Sequence, residues 1–353
     1  MRLKQISLAI MLFFLAVAFS KTVAADAYFD EVLTKAEAGD VDSQYELGMI
    51  YLGSQSGTED HKQGREWLEK AANQGHTMSQ ITLGNIYVDG QGVDQDYKKA
   101  FNWYKKAAEQ KCVLATISIG AMYNQSLVDS ENIKDAQRFL DQHVTDLKNT
   151  ASLGGAKDQF ILGNCYKEGQ ICPQDNKEAI KWYRKAAEQG YAGAEFILGY
   201  MYHEGQGISK NLDEALKLYQ SAAEKEYADA EYALGSMYEV GEGVSKSPKR
   251  AFEYLSKAAE QGHLEAQKDV ALKYYNGEGV AKDYTKALMW LMISSSMGLD
   301  DAAKEMNEIL VSKNVSPEQI SEAKTLASIW KPEISGATNN TMDILNALFS
   351  TCN

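Results

Sequence analysis

The sequence predicts an all-α fold, an α-solenoid of stacked helix pairs, and two recurring patterns indicate it. A Leu-Gly pair or its equivalent returns, mostly every 36 residues, at Leu47-Gly48, Leu83-Gly84, Ile119-Gly120, Leu162-Gly163, Leu198-Gly199, Leu234-Gly235 and Val270-Ala271. A pair of small residues follows six of these seven copies, at Ala71-Ala72, Ala107-Ala108, Ala186-Ala187, Ala222-Ala223, Ala258-Ala259 and Ser294-Ser295. Repeats of this length are typical of stacked supersecondary units rather than of one globular core.

The first residues have the features of a secretory signal. Arg2 and Lys4 precede an apolar run from Ile6 to Phe19, and the small residues Val23-Ala24-Ala25 offer a cleavage site. The alternative is an uncleaved anchor, but the apolar run is short for a spanning helix, which needs about 20 residues. We therefore predict a signal peptide at residues 1–25, export of the mature chain and no membrane span after cleavage.

The first helix of each repeat is predicted from large residues that surround a small one. In the second copy Ile81, Leu83 and Tyr87 surround Gly84. A glycine inside a helix costs about 1 kcal/mol relative to alanine, so its recurrence predicts a close crossing by a neighbouring helix. A Gly-x-Gly turn follows in four copies, at Gly90/Gly92, Gly205/Gly207, Gly241/Gly243 and Gly277/Gly279. These turns follow helices and lack a Gly-Lys-Ser/Thr motif, so we expect helix ends rather than a nucleotide site.

The second helix is predicted from a capping residue and an apolar stripe. All seven copies place a preferred N-cap residue at the same position, namely Asp60, Asp96, Asn132, Asp175, Asn211, Ser247 and Asp283. In the second copy the spacing then puts Ala100, Trp103, Tyr104 and Ala107 on one helix face. We interpret this aromatic stripe as core rather than as a cofactor site.

The third copy and the C-terminus depart from the regular pattern. In the third copy Asn132 and Ala136 are in register, but the next Gly-rich end, Gly154-Gly155, arrives seven residues late. Seven residues are about two helical turns, so we predict an extended second helix, and a loop insertion is the alternative. After the seventh copy, residues 311–330 are predicted to contain a capping helix that opens at Ser316-Pro317, and residues 331–353 a flexible tail.

Two of the four cysteines are predicted to pair with each other. Cys165 stands where other copies have Ile86, Met201 and Met237, and Cys172 stands where they have Val93, Ile208 and Val244. Both positions are otherwise apolar, so both side chains should face inward, one near a helix end and one just after the turn. We predict a Cys165–Cys172 disulfide. Two buried free thiols are the alternative, and Cys112–Cys352 would be the remaining pair.

Several function classes are disfavoured. The net charge of −13 repels nucleic acid and anionic lipid. The histidines are scattered without the spacing of a helical zinc site, and His76 and His263 follow helix-ending glycines, where we expect the surface. The Ser-x2-Lys matches at Ser321 and Ser328 lack the companion motifs of a serine acyl-enzyme. We expect no catalytic residue, no metal and no cofactor.

The repeat motif is similar to that of a known family. The pattern Ala-x3-Leu-Gly-x2-Tyr, then Gly-x-Gly, then Lys-Ala-x2-Trp-Tyr-x-Lys-Ala-Ala-Glu-Gln, as found in 194–207 and 99–110, resembles the Sel1-like repeat, a relative of the tetratricopeptide repeat. We place the repeat region at residues 26–310, with seven repeats and a seven-residue insertion in the third. The resemblance implies a right-handed superhelix that acts as a monomer and as an exported interaction scaffold.

The resemblance also implies where a partner would bind. In related helical repeats the first helices line the concave surface. The candidate contact residues on the first helices are Tyr45, Phe160, Asn164, Phe196, Tyr200, His203, Tyr232 and Ser236. Aromatic residues are enriched at interface hot spots, and a peptide or a partner's helix can lie along such a row. The alternative for the aromatic row is packing between neighbouring first helices.

The sequence thus predicts a non-enzymatic scaffold of the bacterial envelope, located in the periplasm, that binds a protein or peptide on the concave face. One alternative is a secreted or cell-surface factor that engages host proteins in virulence or entry. A second is a β-lactam-binding or peptidoglycan-binding protein of the cysteine-rich Sel1-like type. Members of that type carry a cysteine pair in nearly every repeat, whereas this chain has four cysteines in all.

Overall fold

The computed structural model describes residues 25–53, 58–169, 171–311 and 315–332, and within them it contains helices and no strand. The helices are α1 Ala25–Glu37, α2 Val41–Gly53, α3 Thr58–Asn73, α4 Thr77–Asp89, α5 Tyr97–Glu109, α6 Val113–Asn124, α7 Ile133–Ser152, α8 Ala156–Glu168, α9 Asn176–Glu188, α10 Ala192–Glu204, α11 Leu212–Ala223, α12 Ala228–Val240, α13 Pro248–Glu260, α14 Leu264–Asn276, α15 Tyr284–Ser296, α16 Asp300–Val311 and α17 Pro317–Ile329. The predicted all-α helix-pair fold is confirmed. Residues 1–24 of the predicted signal peptide and most of the predicted tail lie outside the described residues.

The even-numbered helices α2 to α14 are the first helices of the seven copies, and the odd-numbered helices α3 to α15 are the second helices. The chain divides into two compact units. Within the described residues, one unit comprises 25–149 with Asn164–Asp175, and the other comprises Thr150–Gly163 with 176–332. The core of the first unit includes Phe101, Tyr104 and Met122. A large core cluster of the second unit includes Leu255 and Leu291.

The repeat glycines allow the predicted close crossing. A Cβ atom on Gly163 would lie 2.6 Å from the Tyr183 ring, and one on Gly199 would lie 2.9 Å from the Tyr219 ring. Both tyrosines are buried on the second helix of the same repeat. Any side chain at these glycines would therefore push the two helices of a pair apart.

Four of the seven predicted N-caps are confirmed, and one is corrected. In four copies the side chain of the predicted residue accepts a hydrogen bond from the backbone N–H three residues later, at Asp96, Asn211, Ser247 and Asp283. Asp60 is the correction, because α3 begins at Thr58 and Asp60 lies inside its first turn. A carboxylate is favourable there too, since the helix dipole favours negative charge near an N-terminus.

The seven additional residues of the third copy lie in α7. This helix has 20 residues, whereas α9 has 13. Ala136, Leu140 and Ala151 along it are buried, so its apolar face is kept through the extension. The structure therefore has the extended helix and not the loop insertion.

The C-terminal helix α17 packs on α15. It opens with a capping box, in which Ser316 and Gln319 each bond the other's backbone N–H. Its Ala323 is fully buried, and Trp330 after the helix lies 5.7 Å from Trp290 between ring centroids. Among the described helices, none has both the length and the apolar character that crossing a bilayer would need.

Candidate binding face on the first helices

The structure distributes the predicted contact residues over four first helices and over both units. Tyr45 on α2 and Asn164 on α8 belong to the first unit. The second unit holds Phe160, Phe196, Tyr200, His203, Tyr232 and Ser236. The site is therefore described within the second unit, on α10, α12 and α14.

Phe160 and Phe196 are packing residues. The Phe160 side chain is 1% exposed, and its ring centroid lies 5.9 Å from that of Tyr183 and 4.9 Å from that of Tyr191. Phe196 is partly buried between Tyr219 and Tyr227, at 5.8 and 5.6 Å. Each ring thus fills the space between its own second helix and the start of the next first helix. For these two residues the structure therefore shows packing contacts, the alternative that the sequence left open. Phe160 is too buried to contact a partner.

Tyr45 and Tyr232 occupy the same position as these phenylalanines and pack against histidines, with tilted rings for Tyr45 and stacked rings for Tyr232. The ring centroids are 4.7 Å apart for Tyr45 and His76, and 4.4 Å apart for Tyr232 and His263. Burial raises the pKa of Tyr232 to about 12, and its hydroxyl group hydrogen-bonds Asp269 on α14. Both tyrosines therefore hold neighbouring repeats together with part of each side chain.

The two histidines are helix caps, which corrects the expectation of a surface position. Their side chains are 19% exposed for His76 and 14% exposed for His263. In each, Nδ1 accepts a hydrogen bond of 3.2 Å from a backbone N–H, that of Ser79 in α4 or that of Ala266 in α14. Burial lowers the pKa of both imidazoles, which suits this role because Nδ1 accepts only while it carries no proton.

The accessible part of the site lies at the next turns of the same helices. Tyr200 on α10 is 38% exposed, the only predicted contact residue among the large exposed apolar and aromatic side chains of the described residues. His203 lies one turn further along, with Nε2 at 3.1 Å from Glu242 Oε2 and Nδ1 at 3.4 Å from the Tyr219 hydroxyl. Ser236 on α12 donates to the backbone carbonyl of Tyr232 at 3.0 Å.

Two residues outside the predicted contact set tie these helices together. Glu239 of α12 forms an ion pair with Lys273 of α14. Glu242, in the turn after α12, bonds His203 of α10 and lies 2.9 Å from Lys210 Nζ. Lys273 is buried at the position where other copies have Met201 and Met237. A lysine at a position that is apolar in other copies was the sequence signal for this ion pair with Glu239. We define the first-helix face as Tyr200, His203, Ser236 and Glu239.

The arrangement offers recognition chemistry. It combines an exposed aromatic ring, an imidazole, a hydroxyl and a carboxylate on adjacent repeats, held by ion pairs between those repeats. Within the described residues, no group of three or more His, Cys, Asp or Glu side chains is placed to hold a metal ion.

The Cys165–Cys172 disulfide predicted from the sequence is present, with the two Cα atoms 5.4 Å apart. It joins the end of α8 to the turn that follows. Cys112 is fully buried and disulfide-bonded. Its predicted partner Cys352 lies outside the described residues, so that pairing stays a prediction.

Comparison with known proteins supplies a family match. The Sel1 repeat family profile matches residues 41–76, 77–112, 156–191, 192–227, 228–263 and 264–299, which together make up more than half of the chain. The third copy, with its extended α7, falls between the second and third matched stretches. No curated protein matches the chain.

Solved structures from several bacteria are similar to this chain. A Sel1 repeat protein from Oxalobacter formigenes is 24% identical, with a TM-score of 0.44, over 80% of this chain and 91% of that one. A protective antigen present in uropathogenic Escherichia coli strains, with an SLR fold, is 25% identical, with a TM-score of 0.37, over 90% of this chain and 82% of that one. An immunity protein from Pseudomonas aeruginosa is 22% identical, with a TM-score of 0.35, over 62% and 80%.

Proposed function

Because this chain belongs to the Sel1 repeat family, whose repeats mediate protein interaction, we propose that it is a non-enzymatic scaffold that binds a protein or peptide through the first-helix face. The observation that carries the proposal is the exposed ring of Tyr200 among polar groups held in place on adjacent repeats. Tyrosine is enriched at interface hot spots because it combines a large apolar area with a hydrogen-bonding group.

The neighbouring contacts support binding by holding the face in one shape. The pairs His203–Glu242 and Glu239–Lys273 each link two repeats, and the partly buried Phe196 ring, one turn before Tyr200 on α10, packs between Tyr219 and Tyr227. A surface that is ordered before binding loses less conformational entropy when a partner docks. Repeat proteins commonly use extended surfaces of this kind.

We place this scaffold in the envelope of a bacterium, in the periplasm. The basic and apolar start of the chain supports export, although residues 1–24 lie outside the described structure. The Cys165–Cys172 disulfide supports it independently, because disulfides persist in oxidising compartments and are rare in the cytosol.

A cross-linked pull-down from the envelope of the producing organism tests the binding proposal. The tagged mature chain is compared with Tyr200→Ala and with Tyr28→Ala, a matched control because Tyr28 on α1 is 42% exposed and lies far along the chain from this face. We expect one partner to be retained by the wild type and by Tyr28→Ala and to be lost by Tyr200→Ala, with the helicity of all three unchanged. A partner that Tyr200→Ala retains at wild-type level would contradict the proposed face.

A further inference from the structure

In four copies a buried glutamine links the first helix to the helix that precedes it. These glutamines are Gln44, Gln80, Gln159 and Gln267. In each, Nε2 donates to the carbonyl of the residue eight positions earlier, at the end of the preceding helix; the acceptors are Ala36 at 3.1 Å, Ala72 at 3.0 Å, Ala151 at 3.3 Å and Ala259 at 3.2 Å. In three copies Oε1 accepts from a second glutamine thirty residues later, at 2.7 Å from Gln74, 2.9 Å from Gln110 and 2.8 Å from Gln189. We call this arrangement the glutamine clasp.

Glutamate replaces the clasp glutamine in two copies, at Glu195 and Glu231. For Glu195 the surroundings supply a cation. Lys225 stands at the position of the second glutamine, and its Nζ lies 2.7 and 2.6 Å from the two carboxylate oxygens. The hydroxyl of Ser221 donates to the same carboxylate at 2.9 Å. A charge that leaves water is stabilised by such a pair.

Glu231 keeps the uncharged second partner. It is 2% exposed, and Gln261 Nε2 donates to its Oε2 at 2.6 Å, as the second glutamine does in the intact clasps. The other clasp bond needs a donor aimed at Ala223, the residue eight positions earlier at the end of α11. A carboxylate is acceptor-only, whereas a carboxylic acid has one O–H to donate. Two acceptors brought together away from water, with no donor between them, cost free energy.

We propose that Glu231 takes up a proton from solvent and, as a carboxylic acid, donates to the carbonyl of Ala223, so that α12 is clasped to α11 in mildly acidic but not in alkaline solution. The neutral acid supplies an O–H donor where the four glutamine copies have an amide donor, and apart from the proton no atom is added. The interface between these two repeats then responds to pH, whereas the glutamine interfaces do not.

The charged and titratable groups around Glu231 favour its neutral form on balance. Burial raises the pKa of Glu231 to about 7. Lys257 on α13 and the bond from Gln261 lower this pKa, while Glu226 after α11 and Glu260 on α13 raise it further. The Tyr254 hydroxyl of α13 also faces the carboxyl group.

The sign of the pH dependence follows from this direction. The unfolded chain titrates Glu near 4.3, roughly the value of a free side chain. Between that pH and the higher folded pKa, the folded state binds more protons than the unfolded state, so stability falls as pH rises. The contribution of Glu231 is therefore greatest in acid and is lost as the pH rises through about 7.

Urea unfolding of the full mature chain and of Glu231→Gln at pH 5 and pH 8 tests the proposal. At pH 8 we expect the variant to have a higher midpoint, with an unfolding equilibrium constant lower by up to on the order of a hundredfold, since each unit of pKa shift is tenfold. At pH 5 the difference should be much smaller, because most of the range between the unfolded pKa of about 4.3 and the folded pKa of about 7 lies above that pH. An equal difference at both pH values, or a lower midpoint for the variant at pH 8, would overturn the proposal.

Glu195→Gln is the matched control, because it makes the same change at the other glutamate clasp but leaves Lys225 without its carboxylate. We expect no gain in midpoint at pH 8 for this variant. A direct titration of the Glu231 carboxyl carbon by NMR in the wild type, assigned by its absence in Glu231→Gln, keeps the test independent of global unfolding. A Glu231 pKa at or below the ordinary value of about 4.3 would refute the proposal.

Discussion

Histidine opens two of the first helices and does more than cap them. His263 accepts the backbone N–H of Ala266 through Nδ1, stacks on Tyr232 and places Nε2 at 3.6 Å from Asp229. One side chain thus satisfies a helix N-terminus and packs two repeats together. Asparagine, a preferred N-cap residue, can take over the first role but not the second.

This dual role predicts a pH dependence at the residue scale. Burial lowers the pKa of His263, so the unfolded chain binds more protons below the ordinary value of about 6.5, and the stability from this residue is lost as pH falls below that value. His263→Asn should remove this dependence. Between pH 7.5 and pH 5 the urea midpoint of the wild type should therefore fall relative to that of His263→Asn. His263→Ala removes the cap and should lower the free energy of unfolding by about 1 kcal/mol at pH 7.5. A difference between wild type and His263→Asn that is the same at both pH values would contradict the prediction.

At the scale of the element, a helix end can be closed by apolar contact or by a covalent bond. In most copies the last turn of the first helix and the following turn carry apolar residues, such as Met201 and Ile208. In α8 the Cys165–Cys172 disulfide takes their place, and Cys172 is buried, whereas its counterparts Val93, Ile208 and Val244 are partly buried. The bond closes a short loop, so its stabilisation should lie near the low end of the usual range of about 2–4 kcal/mol.

A pair of double variants separates the covalent contribution from the packing contribution. The double variant Cys165→Ala with Cys172→Ala removes the covalent bond and the packing. We expect it to lower the free energy of unfolding by about 3 kcal/mol. Cys165→Met with Cys172→Val restores the residue types of the other copies and should recover part of that loss. The free energy of unfolding from urea titration, without reductant, measures both. Equal losses in the two double variants would show that packing at this position contributes nothing.

Local signals made the elements predictable, and long-range contacts made the site less so. The caps Asp96 and Asp283 act on a backbone group three residues away, so the sequence alone places those helix starts. The predicted start of α3 was wrong because a preferred cap residue also fits inside a first turn. Phe160 lies on the predicted helix, but its burial depends on Tyr191, which is 31 residues further along the chain. Spacing identifies a helix face and leaves open which neighbour covers it.

At the scale of the whole molecule, the stability of a repeat array is approximately the sum of the contributions of its repeats and of the interfaces between adjacent repeats. Each unit has its own buried clusters, and the clasps at Gln80, Glu195 and Glu231 connect only successive helix pairs. In such arrays a change at one interface acts on adjacent repeats and little beyond them. One chain can therefore carry a pH-responsive interface, a disulfide-closed helix end and a binding face without each disturbing the others.

The cellular compartment of the protein determines whether its disulfide forms. The disulfide between Cys165 and Cys172 should form only if the chain reaches an oxidising compartment. We therefore expect the chain with its own first 25 residues, expressed in a Gram-negative host, to appear in the periplasmic fraction with thiols that resist alkylation. The chain lacking residues 1–25 should remain in the cytoplasm with alkylatable Cys165 and Cys172, and with a lower urea midpoint. Mass mapping of unreduced digests measures the pairing. Free thiols at both positions in the full-length product would contradict export, and recovery of the oxidised protein from the medium would favour a secreted factor over a periplasmic scaffold.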